Sequence, residues 1–231
     1  MPTLTATPSA QTEFISAVRI NRSLTACAEK RVLHWLAARA PRWVTSDRLT
    51  FLGFAAQIGA GVSYALARFD RRALLMVILC LALNWLGDSL DGTLARVRQQ
   101  QRPRYGFYVD HVVDIFGATA LMAGLACSGL LHWPIAAAML VSFLLLSGES
   151  YLATYTLARF QLSQGLFGPT EIRILLAIGN LALLRSAYAT IFGHRFLLFD
   201  LAGTVASVVM LAMVIAIAAR HTAELYRQER L

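Results

Sequence analysis

Six long apolar segments separated by short charged stretches constrain the fold of this chain more than any other feature of its sequence. A helix needs about 20 apolar residues to cross the hydrocarbon core of a bilayer. Hydrophobic residues make up 57% of the 231 positions and charged residues only 15%, which is more apolar surface than a soluble domain of this length can bury. We therefore predict membrane-spanning segments at about residues 49–69, 73–97, 106–131, 133–157, 170–192 and 196–219.

The connections between these segments are short, which predicts one all-α integral membrane bundle of six transmembrane helices and no second domain. Upstream, residues 13–42 mix apolar and basic side chains, a pattern typical of a helix in the headgroup region. We accordingly divide the chain into residues 1–44, a polar lead-in with an N-terminal amphipathic interfacial helix, and residues 45–231, the six-span domain. The lead-in lacks the basic and apolar regions of a cleavable signal peptide.

The chain carries a net charge of +8, and its cations border the apolar segments. Membrane lipids and anionic substrates explain that placement better than nucleic acid does. With the N-terminus inside, 16 of the 21 Lys and Arg residues lie on the cytoplasmic side, so the positive-inside rule places both termini in the cytoplasm. We expect a multi-pass protein of the bacterial inner membrane. The basic residues on the opposite side are Arg68, Arg71, Arg72, Arg185 and Arg195.

Four aspartates near the cytoplasmic ends of the second and third segments indicate a metal site. Asp88 and Asp91 share one helix face, and so do Asp110 and Asp114, because each pair is three or four residues apart. The short connection predicts antiparallel neighbouring helices, so both pairs should meet at similar depth. Carboxylates within a membrane cost a few kcal/mol each unless they are compensated. Hard oxygen ligands favour Mg²⁺ or Mn²⁺, and two such ions would neutralise all four charges.

The residues between the two aspartate pairs suit a phosphate-bearing substrate. Gly92 and Ala95 share the carboxylate face, where small side chains let a bulky ligand approach the backbone. Tight helix packing explains these two small residues equally well. Arg96 can donate two hydrogen bonds to a phosphate, and paired divalent ions clamp a phosphoryl group during displacement. The pattern therefore indicates phosphoryl transfer.

The spacing of these residues resembles the signature of the CDP-alcohol phosphatidyltransferase family. The resemblance implies two Mg²⁺ or Mn²⁺ ions, with Asp88 and Asp110 bridging both, Asp91 completing the first and Asp114 the second. It also implies that Asp114 is the general base. The matching run is Asp88-x-x-Asp91-Gly92-x-x-Ala95-Arg96, followed by Gly106-x-x-x-Asp110-x-x-x-Asp114.

The resemblance further implies a reaction of phospholipid biosynthesis. A CDP-linked lipid such as CDP-diacylglycerol would donate a phosphatidyl group to an alcohol or a phosphorylated alcohol, and CMP would leave. Gly92, Ala95 and Arg96 would hold the nucleotide part of the donor. Many family members carry a Pro-Asn pair in a stretch that contacts the nucleotide, but Ser46 and Asp47 stand there in this chain. The resemblance also allows a homodimer.

Several other charged residues near the predicted cytoplasmic surface have open roles, Glu171 among them. Glu149 lies within the fourth segment, where contact with the acceptor alcohol and pairing with a neighbouring arginine are both open, and we favour the pairing. A group of four arginines is consistent with a pocket for a phosphorylated alcohol and equally with topological anchoring. These are Arg102, Arg104, Arg159 and Arg173.

Two other functions are compatible with a helical membrane protein that contains acidic residues. An intramembrane prenyltransferase also binds Mg²⁺-diphosphate, but it requires two separate aspartate-rich motifs and usually more spans. A non-enzymatic cation transporter would place its acidic groups near the middle of the membrane. In this chain all four aspartates belong to one hairpin near the membrane surface, which favours the phosphotransferase.

Overall fold

The structure is a computed structural model that describes residues 18–20, 25–157, 159–161 and 168–230. These residues are mainly helical, as predicted, and residues 1–17 of the predicted lead-in lie outside the described part. Two small sheets were not predicted: β1 (Val18–Ile20) pairs in parallel with β2 (Arg159–Gln161), and β3 (Tyr188–Ile191) forms an antiparallel hairpin with β4 (His194–Leu197). The helices are α1 (Ala26–Arg39), α2 (Ser46–Leu66), α3 (Ala73–Val97), α4 (Pro103–Cys127), α5 (Trp133–Leu157), α6 (Pro169–Arg185) and α7 (Leu198–Gln228).

Five of these helices are long and apolar enough to cross a membrane, namely α2, α3, α4, α5 and α7. They correspond to the first four predicted spans and to the last one. Helix α6 ends at Arg185 and has 17 residues, so it extends about 26 Å at 1.5 Å per residue. The hydrocarbon core is roughly 30 Å thick. The chain is therefore a multi-pass helical membrane protein, and the count of six spans stays a prediction.

The prediction of a continuous helix to residue 192 was wrong, because a β-hairpin follows α6. Ser186 already has extended backbone angles. Phe192 and Gly193 form the turn with φ angles of 50° and 81°, a region that glycine adopts without steric cost. The strands contain β-branched and aromatic residues, which favour strands in short apolar runs. Hydrophobicity alone does not distinguish such a run from a helix.

Helix α2 packs closely against both α3 and α4 through pairs of glycines. A Cβ atom on Gly87 of α3 would lie 2.7 Å from the Cα of Gly53, and one on Gly124 of α4 would lie 2.7 Å from the Cα of Gly61. Small residues allow helix backbones to approach in this way within membranes. Glycine therefore sets the positions of the two helices that carry the aspartates.

The N-terminal helix α1 is attached to α3 and α6 by a carboxylate. One oxygen of Glu29 accepts hydrogen bonds from Trp85 Nε1, Ser89 Oγ and Thr170 Oγ1, each 2.9 Å long. Thr25 donates from its amide and its hydroxyl to Glu171 at 2.9 and 2.7 Å. These contacts fix the N-terminal end of α6 beside the aspartates of α3. The interfacial location of α1 and the division of the chain at residue 44 stay predictions.

Candidate functional site

Three of the four predicted metal ligands line one small cavity. Asp88 of α3 faces Asp110 and Asp114 of α4 across a space of about 10 Å³, roughly what one water molecule needs. The fourth aspartate, Asp91, interacts electrostatically with Asp114. The sequence-based prediction that both pairs approach each other is consistent with this geometry. The cavity is lined by Thr50, Gly53, Phe54, Gln57, Asn84, Asp88, Asp110, Val113 and Asp114.

The two aspartate-bearing helices face each other across the small cavity, and each packs closely against α2. Helix α2 contacts both α3 and α4, whereas α3 and α4 are not closely packed against each other. The glycines that come closest to the backbone of another helix do so at α2, through Gly53 and Gly61. A gap between α3 and α4 remains at the level of the carboxylates, and α2 forms one wall of it.

Helix α2 also holds Asp91 in place. Thr50 Oγ1 donates to Asp91 Oδ2 at 2.5 Å, and Ser46 Oγ donates to the backbone carbonyl oxygen of Asp91 at 2.9 Å. Sequence reasoning assigned no role to Thr50 and carried none over to Ser46. Their spacing of four residues, which places both hydroxyls on one face of α2, is the signal that was available.

A cation already contacts the first aspartate. Arg173 of α6 donates from Nη2 to Asp88 Oδ2 at 2.5 Å and from Nε to Asn84 Oδ1 at 2.8 Å. Asn84 in turn donates to the carbonyl oxygen of Gly53 at 2.9 Å. Sequence reasoning missed Asn84, although it lies four residues before Asp88 on the same helix face. Arg173 was considered for an anion pocket or for topological anchoring.

The described residues contain no group of three or more His, Cys, Asp or Glu side chains that could hold a metal ion in their present positions. The chemistry of the donors nevertheless fits Mg²⁺ or Mn²⁺. Asp88, Asp110 and Asp114 provide carboxylate oxygens, and Thr50 and Gln57 add hydroxyl and amide oxygens to the same cavity. Such hard oxygen ligands suit these ions.

A second cavity of about 390 Å³ lies further along α2 and α3 than the small one, and its volume is within the usual range of small-molecule sites. It is formed by the start of α2, the end of α3 and the link to α4. Ala95, one of the predicted nucleotide-binding residues, lines it. Gly92 and Arg96 are not part of its lining. The lining residues are Thr45, Ser46, Asp47, Leu94, Ala95, Arg98, Gln100, Gln101 and Arg102.

Gly92 and Arg96 lie next to each other on α3. A Cβ atom on Gly92 would be 3.5 Å from a guanidinium nitrogen of Arg96. The side chain of Arg96 is exposed and donates to Thr93 Oγ1 at 3.1 Å. The nucleotide-binding role of both residues stays a prediction.

The other predicted charge contacts were partly wrong. Glu149 pairs with His221 of α7 at 2.6 Å and, among the residues that the structure describes, with no arginine. Arg102 forms an ion pair with Asp47 at the larger cavity, whereas Arg173 contacts Asp88, so these two arginines serve different sites. The side chain of Arg159 lies outside the described part.

The comparisons with known proteins bear on the region that contains both cavities. A protein-family model described as CDP-alcohol phosphatidyltransferase matches residues 43–219. The matched range begins just before α2 and ends within α7, and it includes all four aspartates. A comparison with curated proteins gives no match.

Proposed function

Because the chain belongs to the CDP-alcohol phosphatidyltransferase family, whose members are transferases of substituted phosphate groups, we propose that it acts on a CDP-linked lipid. The reaction transfers a phosphatidyl group from a donor such as CDP-diacylglycerol to the hydroxyl of an alcohol, and it releases CMP. This places the protein in phospholipid biosynthesis. Neither the prenyltransferase nor the transporter function accounts for the family match.

One observation carries the proposal: carboxylates from two helices meet at a small cavity, and a cavity of substrate size lies further along the same helices α2 and α3. Asp88, Asp110 and Asp114 line the small cavity, and Ala95 lines the larger one. A phosphoryl group between the two cavities would have its nucleotide on one side and the carboxylates on the other. This arrangement suits a CDP-linked donor.

In this proposal Asp88, Asp91, Asp110 and Asp114 hold two Mg²⁺ or Mn²⁺ ions. When bound, the ions supply the positive charge that neutralises the pyrophosphate of the donor. Thr50 and Ser46 orient Asp91 through the hydrogen bonds described above. The chain thereby contributes positioning and electrostatic stabilisation, which account for most of the acceleration in phosphoryl transfer.

Asp114 acts as the general base. It removes the proton from the acceptor hydroxyl, and the oxygen attacks the phosphorus on the lipid side of the pyrophosphate. The bond from this phosphorus to the bridging oxygen breaks, and the electron pair leaves with CMP. Gly92 and Ala95 leave room for the nucleotide beside α3, and Arg96 contacts its phosphate.

The site lies at the membrane surface in this proposal. The connection between α3 and α4 and the first turn of α2 border the larger cavity, so a water-soluble nucleotide can enter while the lipid tails stay in the bilayer. The distribution of Lys and Arg supports a cytoplasmic location for this surface and for both termini. In a bacterium the membrane is the inner membrane.

The test is metal-dependent release of CMP from CDP-diacylglycerol by the purified protein with a panel of alcohols. The panel contains glycerol 3-phosphate, inositol, inositol phosphate, serine and choline. Asp114→Asn keeps the shape of the side chain but removes its basicity, so we expect the rate to fall by about 10²–10⁴-fold, the usual contribution of a general base. Glu149→Gln is the matched control, because this carboxylate pairs with His221 away from the cavity.

Two results would contradict the proposal. One is an unchanged rate of CMP release in Asp114→Asn. The other is a lack of CMP release with every alcohol at saturating Mg²⁺ and Mn²⁺. Hydrolysis of a prenyl diphosphate instead of CDP-diacylglycerol would favour the prenyltransferase.

A further inference from the structure

The contact between Arg173 and Asp88 joins helix α6 to a predicted metal ligand. The two side chains are 15% and 25% exposed, so solvent screens the pair only in part. Arg173 comes from α6 and reaches Asp88 from outside the lining of the small cavity, whose residues come from α2, α3 and α4. Within a cluster of carboxylates, the guanidinium supplies one unit of the positive charge that the cluster needs.

The guanidinium is incompletely bonded where it lies. Its Nε and Nη2 atoms have partners, but Nη1 is buried and has none among the described residues. A buried polar group without a partner costs about 1–3 kcal/mol, and more when it is charged. The contact with Asp88 is thus less favourable than one made by a guanidinium whose nitrogen atoms all have partners. A divalent cation can therefore replace it.

The start of α6 is fixed independently of this contact. Glu171 accepts two hydrogen bonds from Thr25 and one from Gly168, and Thr170 donates to Glu29. The backbone that carries Arg173 is therefore held by other residues. Its long side chain can leave Asp88 by rotation about its own bonds.

We propose that Arg173 is an internal cation that competes with a divalent metal ion for Asp88. In the metal-free protein the guanidinium neutralises Asp88 and keeps it from joining Asp110 and Asp114 as a ligand. A metal ion that binds Asp88 displaces the guanidinium. The inference rests on the proposed function, because it assumes that these aspartates bind metal ions.

The competition predicts that a substitution at the metal site increases the affinity for the metal ion, whereas substitutions in a binding site usually decrease affinity. Removing the guanidinium eliminates a positive charge next to Asp88 and frees the carboxylate. We expect Arg173→Gln to bind Mn²⁺ on the order of tenfold more tightly than the wild-type protein, within the usual range of coupling between two sites. Arg173→Lys retains the charge, and its affinity should stay near that of the wild type.

The experiment is a titration of the full-length, detergent-solubilised protein with Mn²⁺ alone, without substrate, and with free Mn²⁺ measured by electron paramagnetic resonance. Arg102→Gln is the matched control, because it removes the same charge from an ion pair at the larger cavity. Its affinity should not change. Melting temperatures without metal and with Mn²⁺ show that each variant is folded, and Arg173→Gln should show the larger increase.

Equal or weaker Mn²⁺ binding by folded Arg173→Gln would overturn the inference, as would equal tightening in Arg102→Gln. An absence of Mn²⁺ binding in every variant, with CMP release intact, would also overturn it but would leave the transferase reaction standing. Tighter binding in Arg173→Gln without CMP release from any alcohol would support the competition and count against the proposed function.

Discussion

Two parts of the bundle pack in different ways. In the three-helix unit of α2, α3 and α4, backbones touch at glycines, and a Cβ atom on Gly124 would overlap with the backbone of Gly61. In the pair of α5 and α7, side chains separate the helices. A Cβ atom on Gly203 of α7 would meet the sulfur of Met139 at 2.8 Å. Within the most apolar 18-residue stretch of each helix, 39% of the residues are buried in α2 and in α3, but only 6% in α7.

The difference shows where this fold requires rigidity. All four aspartates and both cavities belong to the three-helix unit and the link between α3 and α4. Backbone contact leaves little freedom for the helices to shift, so it holds the carboxylates of α3 and α4 near one another. The α5 and α7 pair presents exposed apolar side chains, which suit contact with lipid tails. A thioether or a branched side chain between two helices can adjust to a change, whereas a backbone cannot.

The largest effect in this comparison is expected when a methyl group is added at Gly124, where α4 contacts α2. Gly124→Ala should force the helices apart and lower the free energy of unfolding by about 3 kcal/mol, the upper part of the usual range for overpacking. Activity should fall with it, because Asp110 and Asp114 are on the displaced helix. Thermal unfolding in detergent and CMP release measure the two effects.

The same substitution in the other part of the bundle serves as the control. At Gly148 of α5 no atom lies within 4 Å of the added Cβ, so Gly148→Ala should be neutral or slightly stabilising because alanine favours helices. Gly203→Ala should fall between the two, since Met139 can move. If Gly124→Ala were as stable as Gly148→Ala, the contrast in packing would be wrong.

Local patterns in the sequence predicted much of the fold and the grouping of the site residues. Apolar segment length located α2, α3, α4, α5 and α7, because the requirement to cross a bilayer acts on each segment separately. Helical spacing placed Asp88 beside Asp91 and Asp110 beside Asp114. The short link between α3 and α4 then brought the two pairs to the same end of the bundle.

Contacts between distant segments could not be predicted in this way. Arg173 reaches Asp88 across 85 positions of the chain, and His221 reaches Glu149 across 72. No local spacing rule connects such residues, and the charge of each alone was compatible with several partners. The position of α2 between α3 and α4 depends on which glycines face one another, and that is a property of the packed bundle.

An intermediate effect is expected when the hydroxyl group of Thr50 on α2 is removed. Thr50→Val removes the hydrogen bond to Asp91 Oδ2 but keeps the size of the side chain. Residues that orient metal ligands typically change metal affinity by 10–100-fold, and we expect about a tenfold weaker affinity for Mn²⁺ with a similar loss of CMP release. Thr156→Val on α5 is the matched control, since the Thr156 hydroxyl donates to the carbonyl oxygen of Leu152 within its own helix. Equal Mn²⁺ affinities in the two variants would mean that α2 does not orient Asp91.

The smallest effect on the free energy of unfolding is expected when a side chain on the exposed face of α7 is shortened. Val208 is 63% exposed, whereas Val77 of α3 is fully buried. Val208→Ala should change the free energy of unfolding by no more than about 0.5 kcal/mol, as is usual for surface positions, while Val77→Ala should lose about 1 kcal/mol or more because it leaves a cavity. The molar mass of Val208→Ala in detergent, measured by light scattering, should equal that of the wild type. A smaller mass would show that α7 packs against a second copy of the chain, and the low burial of α7 would then reflect a missing partner and not contact with lipid.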